Sequence, residues 1–269
     1  MMKYSLTAKN LVRRNLEAKT SYYAELVNPG HTKEITGLLR IDSGLHADAF
    51  NPVISNSVLP VHIFKRFVVD YFAERHSGFT LLHCASVPFN DQELAEIGVM
   101  PIENGIAMAA ELPDLGTVDD DRTLSSALTI EPLGPGDFGN YAAIISNELE
   151  DSRERRHLKS LYEKLEELPE FKRQRLKMYI AKWNGEPAGT GALFSSADAI
   201  GFYDIVTLPD YRGRGIGTAM FNQLVEDAKC SHHKHAVLQT VADKQDFFAS
   251  AGFHSVGEIA VYEYHPHAA

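Results

Sequence analysis

The chain has little of three things: cysteine, long apolar runs and positive charge. Cys84 and Cys230 are its two cysteines, too few for a disulfide framework, which suits a reducing cytosol. No stretch approaches about 18 uncharged apolar residues, so we expect no membrane span, and the charged N-terminus lacks an apolar signal core. A formal charge of −10 at pH 7 argues against general nucleic-acid binding. We therefore expect a soluble cytoplasmic protein with no nucleic-acid or membrane partner.

What is present is ordinary globular composition, with 44% hydrophobic and 23% charged residues among 269, enough to bury a core. That length suits two small domains. Residues 112–122 contain turn formers and an acidic triplet without periodicity, which indicates a linker. We predict an N-terminal α/β domain over 1–112, a linker over 113–126 and a second domain over 127–269.

The second half alternates between strand and helix patterns in the order β-α-α-β-β-β-α-β-α-β, an α/β or α+β arrangement. Asn184-Gly185 lies between two strand-like runs and indicates a hairpin, because both residues tolerate positive φ. The predicted strands are 128–133, 177–183, 189–194, 200–207, 236–240 and 254–264, and the predicted helices are 136–147, 153–167, 215–229 and 243–250.

The first half predicts helices at 9–26 and 61–75 and strands at 35–41, 51–56 and 79–84. Its tail resembles the end of the chain: in both, a short helix ends in Gly, an apolar residue follows and a strand closes the unit. The matched segments are 94–99 with 105–111, and 248–253 with 257–263. This similarity hints at an internal duplication, and chance similarity is the alternative.

Residues 207–220 read TLPDYRGRGIGTAM, a strand-to-helix turn with three alternate glycines. Glycines remove side-chain obstruction at a helix start, where unpaired N–H groups and a partial positive charge attract anions. The natural ligand is a phosphate or pyrophosphate, and the alternative is a turn that uses glycine for geometry alone. The spacing fits neither a P-loop nor a dinucleotide fingerprint.

Residues 212–217, RGRGIG, resemble the acyl-CoA motif of the GNAT acyltransferase superfamily: arginine or glutamine, two residues, glycine, one residue, glycine or alanine. Downstream, Phe248-Ala-Ser-Ala-Gly-Phe253 resembles the aromatic-x-x-x-Gly-Phe signature of the family's last helix. The element order matches the family fold over about 128–269. The first half is then a candidate degenerate copy without the glycine turn, the alternative being an unrelated accessory domain.

The resemblance implies a mixed sheet, flanked by helices and splayed between its fourth and fifth strands, with acetyl-CoA as cosubstrate in the cleft. The pantetheine would pair like a strand with Val206 and Thr207, and the pyrophosphate would bind the amides from Arg212 to Thr218. The implied binding residues are Val206, Thr207, Arg212, Gly213, Arg214, Gly215, Ile216, Gly217 and Thr218.

Acetyl transfer to an amine needs a neutral nucleophile, donors for the oxyanion and help for the thiolate to leave. Amides near Thr207 or Leu208 are candidates for polarising the thioester carbonyl. The family often places a tyrosine acid where this chain has Phe248, which has no proton to give. Tyr203, Tyr262 and Tyr264 are substitutes, with Tyr262 our candidate acid and structural packing the alternative for each.

The resemblance also suggests a base and an acceptor loop. Asp204, on the strand that leads into the cleft, is the candidate base, and a solvent-facing strand carboxylate is the alternative. Glu148, Glu150 and Asp151 fall where the family's acceptor loop lies and would attract a cationic amine. A solvated helix end explains them equally well.

The cluster from Cys230 to His235 contains three histidines in a short loop and lacks a second group to complete a closed metal site. His265 and His267, near the C-terminus, are interpreted as fortuitous too. We therefore expect no metal.

The leading interpretation is an acyl-CoA-dependent N-acyltransferase that passes an acetyl group directly to an amine of a small molecule or protein. The alternative is a catalytically silent CoA-binding sensor or regulatory module, and Phe248 is the residue that favours it. A structural pair of domains that binds no nucleotide is disfavoured by residues 212–217. A homodimer is compatible with either of the first two interpretations.

Overall fold

The computed structural model describes residues 2–27, 31–46, 48–118, 125–147, 149 and 152–266. The chain divides into two compact units. Unit 1 combines residues 1–15 with 107–256, and unit 2 combines residues 16–106 with 257–269. Each unit has a β-sheet flanked by helices, which is the expected mixed α/β class. Within the described residues, no helix has the length and apolar content that a bilayer crossing needs.

The elements of the described residues follow in chain order. The strands are β1 (Thr32–Ile35), β2 (Leu38–Ile41), β3 (Pro52–Ser55), β4 (Phe79–His83), β5 (Val99–Pro101), β6 (Gly105–Glu111), β7 (Leu128–Pro132), β8 (Leu176–Trp183), β9 (Glu186–Ser195), β10 (Ile200–Thr207), β11 (His235–Thr240) and β12 (His254–Tyr264). The α-helices are α1 (Met2–Val27), α2 (Val61–Phe64), α3 (Asp70–Ala73), α4 (Asp91–Glu96), α5 (Phe138–Ile145), α6 (Ser152–Glu167), α7 (Glu170–Arg173), α8 (Ile216–Lys229) and α9 (Gln245–Ser250).

In unit 1 the strand order is β6-β11-β10-β9-β8-β7. The neighbours from β7 to β10 are antiparallel, while β10 and β11 run parallel. The predicted β8–β9 hairpin is confirmed, because Asn184 and Gly185 at its turn have φ values of 51° and 86°. Two left-handed residues are what a two-residue hairpin loop requires.

Helix α8 covers this sheet and places its first turn beside β9. A Cβ at Gly191 would lie 2.7 Å from Met220, and a Cβ at Gly189 would lie 3.1 Å from Ile216 and 2.9 Å from the Val206 carbonyl. The two glycines therefore let the helix approach the strand more closely than larger residues would. This packing fixes where α8 begins.

The first residues of the chain join unit 1 through Asn15, which is fully buried. Its side-chain amide donates to the Ala199 carbonyl and the Ser196 hydroxyl, each at 2.9 Å, and its oxygen accepts from the Tyr203 hydroxyl at 2.7 Å. A buried amide with its hydrogen bonds satisfied holds a segment in one position. The interaction attaches α1 to the start of β10.

In unit 2 the strand order is β1-β2-β3-β4-β12, and β5 also pairs with β12. β3 and β4 are parallel and β4 and β12 antiparallel. The single strand predicted over 35–41 is wrong: Thr36 and Gly37 have φ values of 24° and 75° and turn the chain into the β1–β2 hairpin. Left-handed residues break an extended run.

One continuous helical stretch packs on this sheet. It passes from α2 through a π-helical turn, Lys65–Val69, into α3. The Phe67 carbonyl in that turn accepts from Arg40 Nη1 at 2.5 Å. Beneath it, Phe64, Phe72 and Phe79 are fully buried and form the aromatic centre of the unit 2 core.

The two units do not follow the predicted boundaries at 112 and 127. Residues 107–111 of β6, from the first half of the sequence, belong to unit 1, and residues 257–264 of β12, from its end, belong to unit 2. We call these two segments the closing strands. They are the two strands that the sequence comparison had already matched with each other.

Candidate functional site

The opening in unit 1 lies between two parallel strands, β10 and β11. They pair at Ile200 with Ala236 and at Gly201 with Val237. Beyond Gly201, β10 continues to Thr207 and remains paired with β9 on its other edge. Among the described residues, the edge of β10 that faces β11 therefore has no strand partner over its last six residues, and this stretch can pair with an extended ligand.

A β-bulge interrupts β10 within the open stretch. Tyr203 is opposite Ala192 and Val206 is opposite Thr190, so Asp204 and Ile205 share one opposing residue. Asp204 has a φ of 55°, in the left-handed region that Asp tolerates better than most residues. Bulges of this kind redirect a side chain.

The redirected Asp204 carboxylate lies next to two tyrosines from different helices. It accepts from the Tyr141 hydroxyl of α5 at 3.1 Å and from the Tyr162 hydroxyl of α6 at 3.4 Å. Both rings are buried, and their centroids are 5.1 Å apart. Asp204 is half-buried, so it is not the solvent-facing strand carboxylate that the sequence left open.

Backbone directions follow from the pairing at the end of β10. The Leu208 N–H donates to the Ala188 carbonyl at 2.9 Å, so Leu208 belongs to a hydrogen-bonded pair. Such pairs alternate with non-bonded pairs in antiparallel strands. The N–H and C=O of Thr207 therefore point to the open edge, and those of Val206 point towards β9.

The glycine turn connects this edge to α8. A 3₁₀ turn, Pro209–Tyr211, leads into it. Gly213 and Gly215 have φ values of 76° and 81°, a conformation that costs glycine no steric strain. Gly215 is the N-cap of α8, which has no side-chain cap and no acidic residue in its first turn. At two of the three alternate glycines, the left-handed backbone therefore explains why the sequence has glycine.

The first turn of α8 keeps its donors available. Ala219 N–H donates to the Gly215 carbonyl at 2.9 Å, and the amides of Ile216, Gly217 and Thr218 precede the first intrahelical bond. A Cβ at Gly217 would meet only the Thr207 hydroxyl, at 3.4 Å. The positive end of a 14-residue helix thus lies next to the open end of β10.

The two arginines of the turn are exposed and bind neighbouring protein groups. Arg212 Nε donates to the Thr207 carbonyl at 3.3 Å, and Arg214 Nη2 donates to the Asp210 carbonyl at 3.1 Å. The Arg214 guanidinium also lies 5.1 Å from the ring centre of Trp183, within cation–π range. The arginines stabilise the shape of the turn as well as adding positive charge.

Phe248 belongs to the core of unit 1. Its ring meets Phe221 edge-on at 5.6 Å. At the end of α9, Phe253 N–H donates to the Phe248 carbonyl and Gly252 N–H to the Ala249 carbonyl, with Gly252 at a φ of 104°. This is a Schellman motif, and it explains why glycine and then a large apolar residue follow the helix.

The predicted catalytic residues belong to different units. Tyr262 belongs to unit 2, where it is buried and donates to Asp91 at 2.9 Å. Burial, and then this hydrogen bond, raise the pKa of Tyr262 to about 12. Tyr264 also lies in the unit 2 core, and in unit 1 burial raises the pKa of Tyr203, which donates to Asn15. Tyr262 as the acid remains a prediction.

Three predicted acceptor-loop residues, Glu148, Glu150 and Asp151, lie outside the described residues, as does His267. Tyr141 and Tyr162 were missed, because nothing in the sequence connects two helical tyrosines with a strand carboxylate. In the 230–235 loop, His233 Nε2 contacts the Ser196 carbonyl at 2.9 Å and His235 pairs with Glu111 at 3.3 Å. These histidines bind different partners.

Comparisons with known proteins agree with the fold. Residues 142–253 match the family model "Acetyltransferase (GNAT) family". A GCN5-related N-acetyltransferase from Kribbella flavida has a TM-score of 0.65 at 14% identity and covers 96% of this chain and 95% of its own. One from Sphaerobacter thermophilus has a TM-score of 0.55 at 15% identity, covering 84% and 76%.

A conserved protein of unknown function from Staphylococcus epidermidis has a TM-score of 0.68 at 11% identity, covering 89% of this chain and 95% of its own. At such identities the likeness is one of fold. No curated protein matches the sequence. The family match covers the bulge, the glycine turn and the Schellman motif. Residues 142–253 of this chain form a domain of the GNAT acetyltransferase family.

Proposed function

We propose that the protein is an acetyl-CoA-dependent N-acyltransferase that transfers the acetyl group directly to an amine within a ternary complex. The observation that carries the proposal is the separation of β10 from β11 beyond Gly201, with the uncapped start of α8 at the end of the opening. An extended ligand with a pyrophosphate at one end has the shape and charge for both features.

In this proposal the amides from Arg212 to Thr218 bind the pyrophosphate, and the open edge of β10 pairs with the pantetheine. At the end of that edge Thr207 points its N–H and C=O away from β9, and the C=O already accepts from Arg212 Nε at 3.3 Å. The Leu208 amide is already used by Ala188, so the Thr207 amide is the better donor to the thioester carbonyl. A donor in that position stabilises the oxyanion that forms there.

Asp204 is the proposed base. The neutral amine nitrogen attacks the thioester carbon, the carbonyl electrons collapse back and the C–S bond breaks, which releases the CoA thiolate. The amine loses its proton to Asp204, either directly or through one water. The Tyr141 and Tyr162 hydroxyls orient the carboxylate. No acid is required, because a free thiol has a pKa of about 8.5 and leaves readily as thiolate.

A catalytically silent CoA-binding module is the second candidate, and one observation favours it. Phe248 lies in an aromatic cluster and has no hydroxyl where the family often has an acid. Both candidates would bind acetyl-CoA at the same site, which we call the donor site. Only the acyltransferase would turn it over. For both we propose a cytoplasmic location, since neither cysteine forms a disulfide.

Two matched glycines test the donor site. Gly217 and Gly139 are each the second residue of a helix, and a Cβ at Gly139 would meet nothing within 4 Å. Gly217→Glu introduces bulk and negative charge at the proposed pyrophosphate site, and we expect it to weaken acetyl-CoA binding at least 100-fold by calorimetry. Gly139→Glu should bind within about threefold of wild type. Equal binding by wild type and both variants would contradict the site.

The base is tested by Asp204→Asn, since Asn tolerates the left-handed backbone and still accepts from the tyrosines. We expect kcat, followed as thiol release over an amine panel, to fall 10²–10⁴-fold with acetyl-CoA affinity retained. Undiminished kcat would remove Asp204 from the mechanism. Wild-type binding without turnover on any amine would favour the silent module.

A further inference from the structure

Unit 2 brings together three metal-ligating side chains that no sequence motif connects. They are Asp48, from the 3₁₀ turn Asp48–Phe50, Glu263 in β12 and His265 just after it. Their ligand atoms all lie within 4.8 Å of one another. His265 Nε2 is 3.4 Å from Glu263 Oε2 and 3.9 Å from Asp48 Oδ2.

Asp48 is the informative member of this set. Its side chain is 8% exposed, and it accepts no hydrogen bond from any residue that the structure describes. Its contact with His265, at 3.9 Å, is longer than a hydrogen bond. A mostly buried carboxylate that accepts no such hydrogen bond would be stabilised by a cation bound at the position that Asp48 faces.

The backbone holds the three groups in place. Gly78, just before β4, has no room for a side chain: a Cβ there would lie 2.7 Å from the Tyr264 carbonyl and 3.1 Å from the Asp48 Cβ. The Asn51 side chain donates to the Gly78 carbonyl at 2.9 Å and so fixes the 3₁₀ turn against β4. Glu263 and His265 are two residues apart on extended chain and therefore share one face.

The donor set and its spacing fit a divalent transition metal. Two carboxylates and a neutral imidazole carry a net charge of −2. Ligands at about 2.1 Å around a tetrahedral ion are about 3.4 Å apart. The His265–Glu263 separation is 3.4 Å and the His265–Asp48 separation is 3.9 Å, so a small contraction would bring the three groups onto one ion. Imidazole favours zinc-type ions over Mg²⁺ and Ca²⁺, which prefer all-oxygen sites.

We propose that Asp48, Glu263 and His265 bind a zinc-type divalent metal ion whose remaining position is filled by water. The ion would compensate the buried Asp48 charge and fasten the end of β12 to the 3₁₀ turn. The proposal is independent of acyl transfer, because it concerns unit 2 alone. It reverses the expectation of no metal, which had treated His265 separately from the two carboxylates.

The test uses the full chain after chelator treatment, with Zn²⁺ titrated by calorimetry. We expect one tightly bound ion per chain in the wild type. Asp48→Asn and His265→Ala should each weaken the Kd at least 100-fold. Zn²⁺ should raise the melting temperature of the wild type and leave that of Asp48→Asn unchanged. The apo Asp48→Asn protein should melt no lower than the apo wild type, which shows that it folds.

His232→Ala is the control, since it removes a histidine from the 230–235 loop and should leave the Kd unchanged. Co²⁺ added in place of Zn²⁺ should give visible absorption bands that disappear in His265→Ala. The proposal fails if the wild type binds no stoichiometric Zn²⁺, or if Asp48→Asn binds it normally. Loss of binding in His232→Ala, or preference for Mg²⁺, would overturn it equally.

Discussion

Each unit contains a strand–helix–strand arrangement with two parallel strands. These strands stay paired in unit 2 and separate in unit 1. In unit 2, β3 and β4 pair at all four positions, from Pro52 with Thr80 to Ser55 with His83, and Cys84 N–H continues the contact to Ser55. In unit 1, β10 and β11 pair at two positions and then separate. A cleft between parallel strands therefore arises where pairing stops, without any additional element.

The connections differ as well. In unit 2 the helix begins after Pro60, at a φ of −53°, and residues 56–60 include no glycine. In unit 1 the helix begins after Gly215, in the left-handed region. Both units then continue into a short helix that is followed by a left-handed glycine, Gly98 or Gly252. This shared order is consistent with two GNAT-like halves, of which unit 1 has the left-handed glycine at its helix start.

Removing the first 112 residues should have the largest effect, because unit 1 includes segments from that part of the chain. A chain that starts at residue 113 lacks both Asn15 and the closing strand of unit 1, which leaves β11 with an unpaired edge. We expect this protein to show no cooperative unfolding transition by circular dichroism and to aggregate, since exposed edges template association. A soluble 113–269 fragment that binds acetyl-CoA would show that unit 1 is independent of the first half.

The second-largest effect should come from disturbing the close packing of β10 against β9. Gly189→Ala places a Cβ 2.9 Å from the Val206 carbonyl, a backbone atom that cannot move aside. We expect the free energy of unfolding to fall by about 1–3 kcal/mol. Gly139→Ala, a helical position with open space, should be neutral or slightly stabilising. Denaturant titration measures both, and equal values would contradict the packing argument.

The strand-to-helix connections of the two units can be compared directly by substituting the residue before each helix. Gly215→Ala imposes the left-handed conformation on alanine, at about 1–2 kcal/mol, and should also weaken acetyl-CoA binding because the first turn of α8 shifts. Pro60→Ala should cost about 0.4–1 kcal/mol through the unfolded chain and leave acetyl-CoA binding unchanged. If Pro60→Ala weakened binding as much as Gly215→Ala, the assignment of the donor site to unit 1 would be wrong.

The smallest effect concerns Tyr262 in unit 2. Because burial and Asp91 raise its folded-state pKa to about 12, its contribution to stability is complete below the unfolded pKa of about 10. That contribution is lost as pH rises from about 10 towards 12. Tyr262→Phe should flatten this part of the stability curve, measured by denaturant titration at each pH. An unchanged slope in the variant would assign the effect to other groups.

Local sequence patterns predicted most elements and the glycine turn. The bounds of β10, α8 and β12 agree with the predicted ranges within one residue, because hydrophobic period and glycine chemistry act over short distances. Sequence reasoning could not find the partners of the closing strands, since two similar strands compete for two similar edges. The convergence of Tyr141 and Tyr162 on Asp204, and of Asp48 on His265, depends on long-range packing that no spacing encodes.

The closing strands also impose an order on synthesis. The His83 end of β4 emerges from the ribosome roughly 180 residues before its partner Ala260, a delay of about 9–36 s at 5–20 residues per second. Throughout that interval β4, in the unit 2 sheet, has no β12 to pair with in a crowded cell. Unit 2, although mostly encoded first, is completed only when the last residues of β12 leave the exit tunnel.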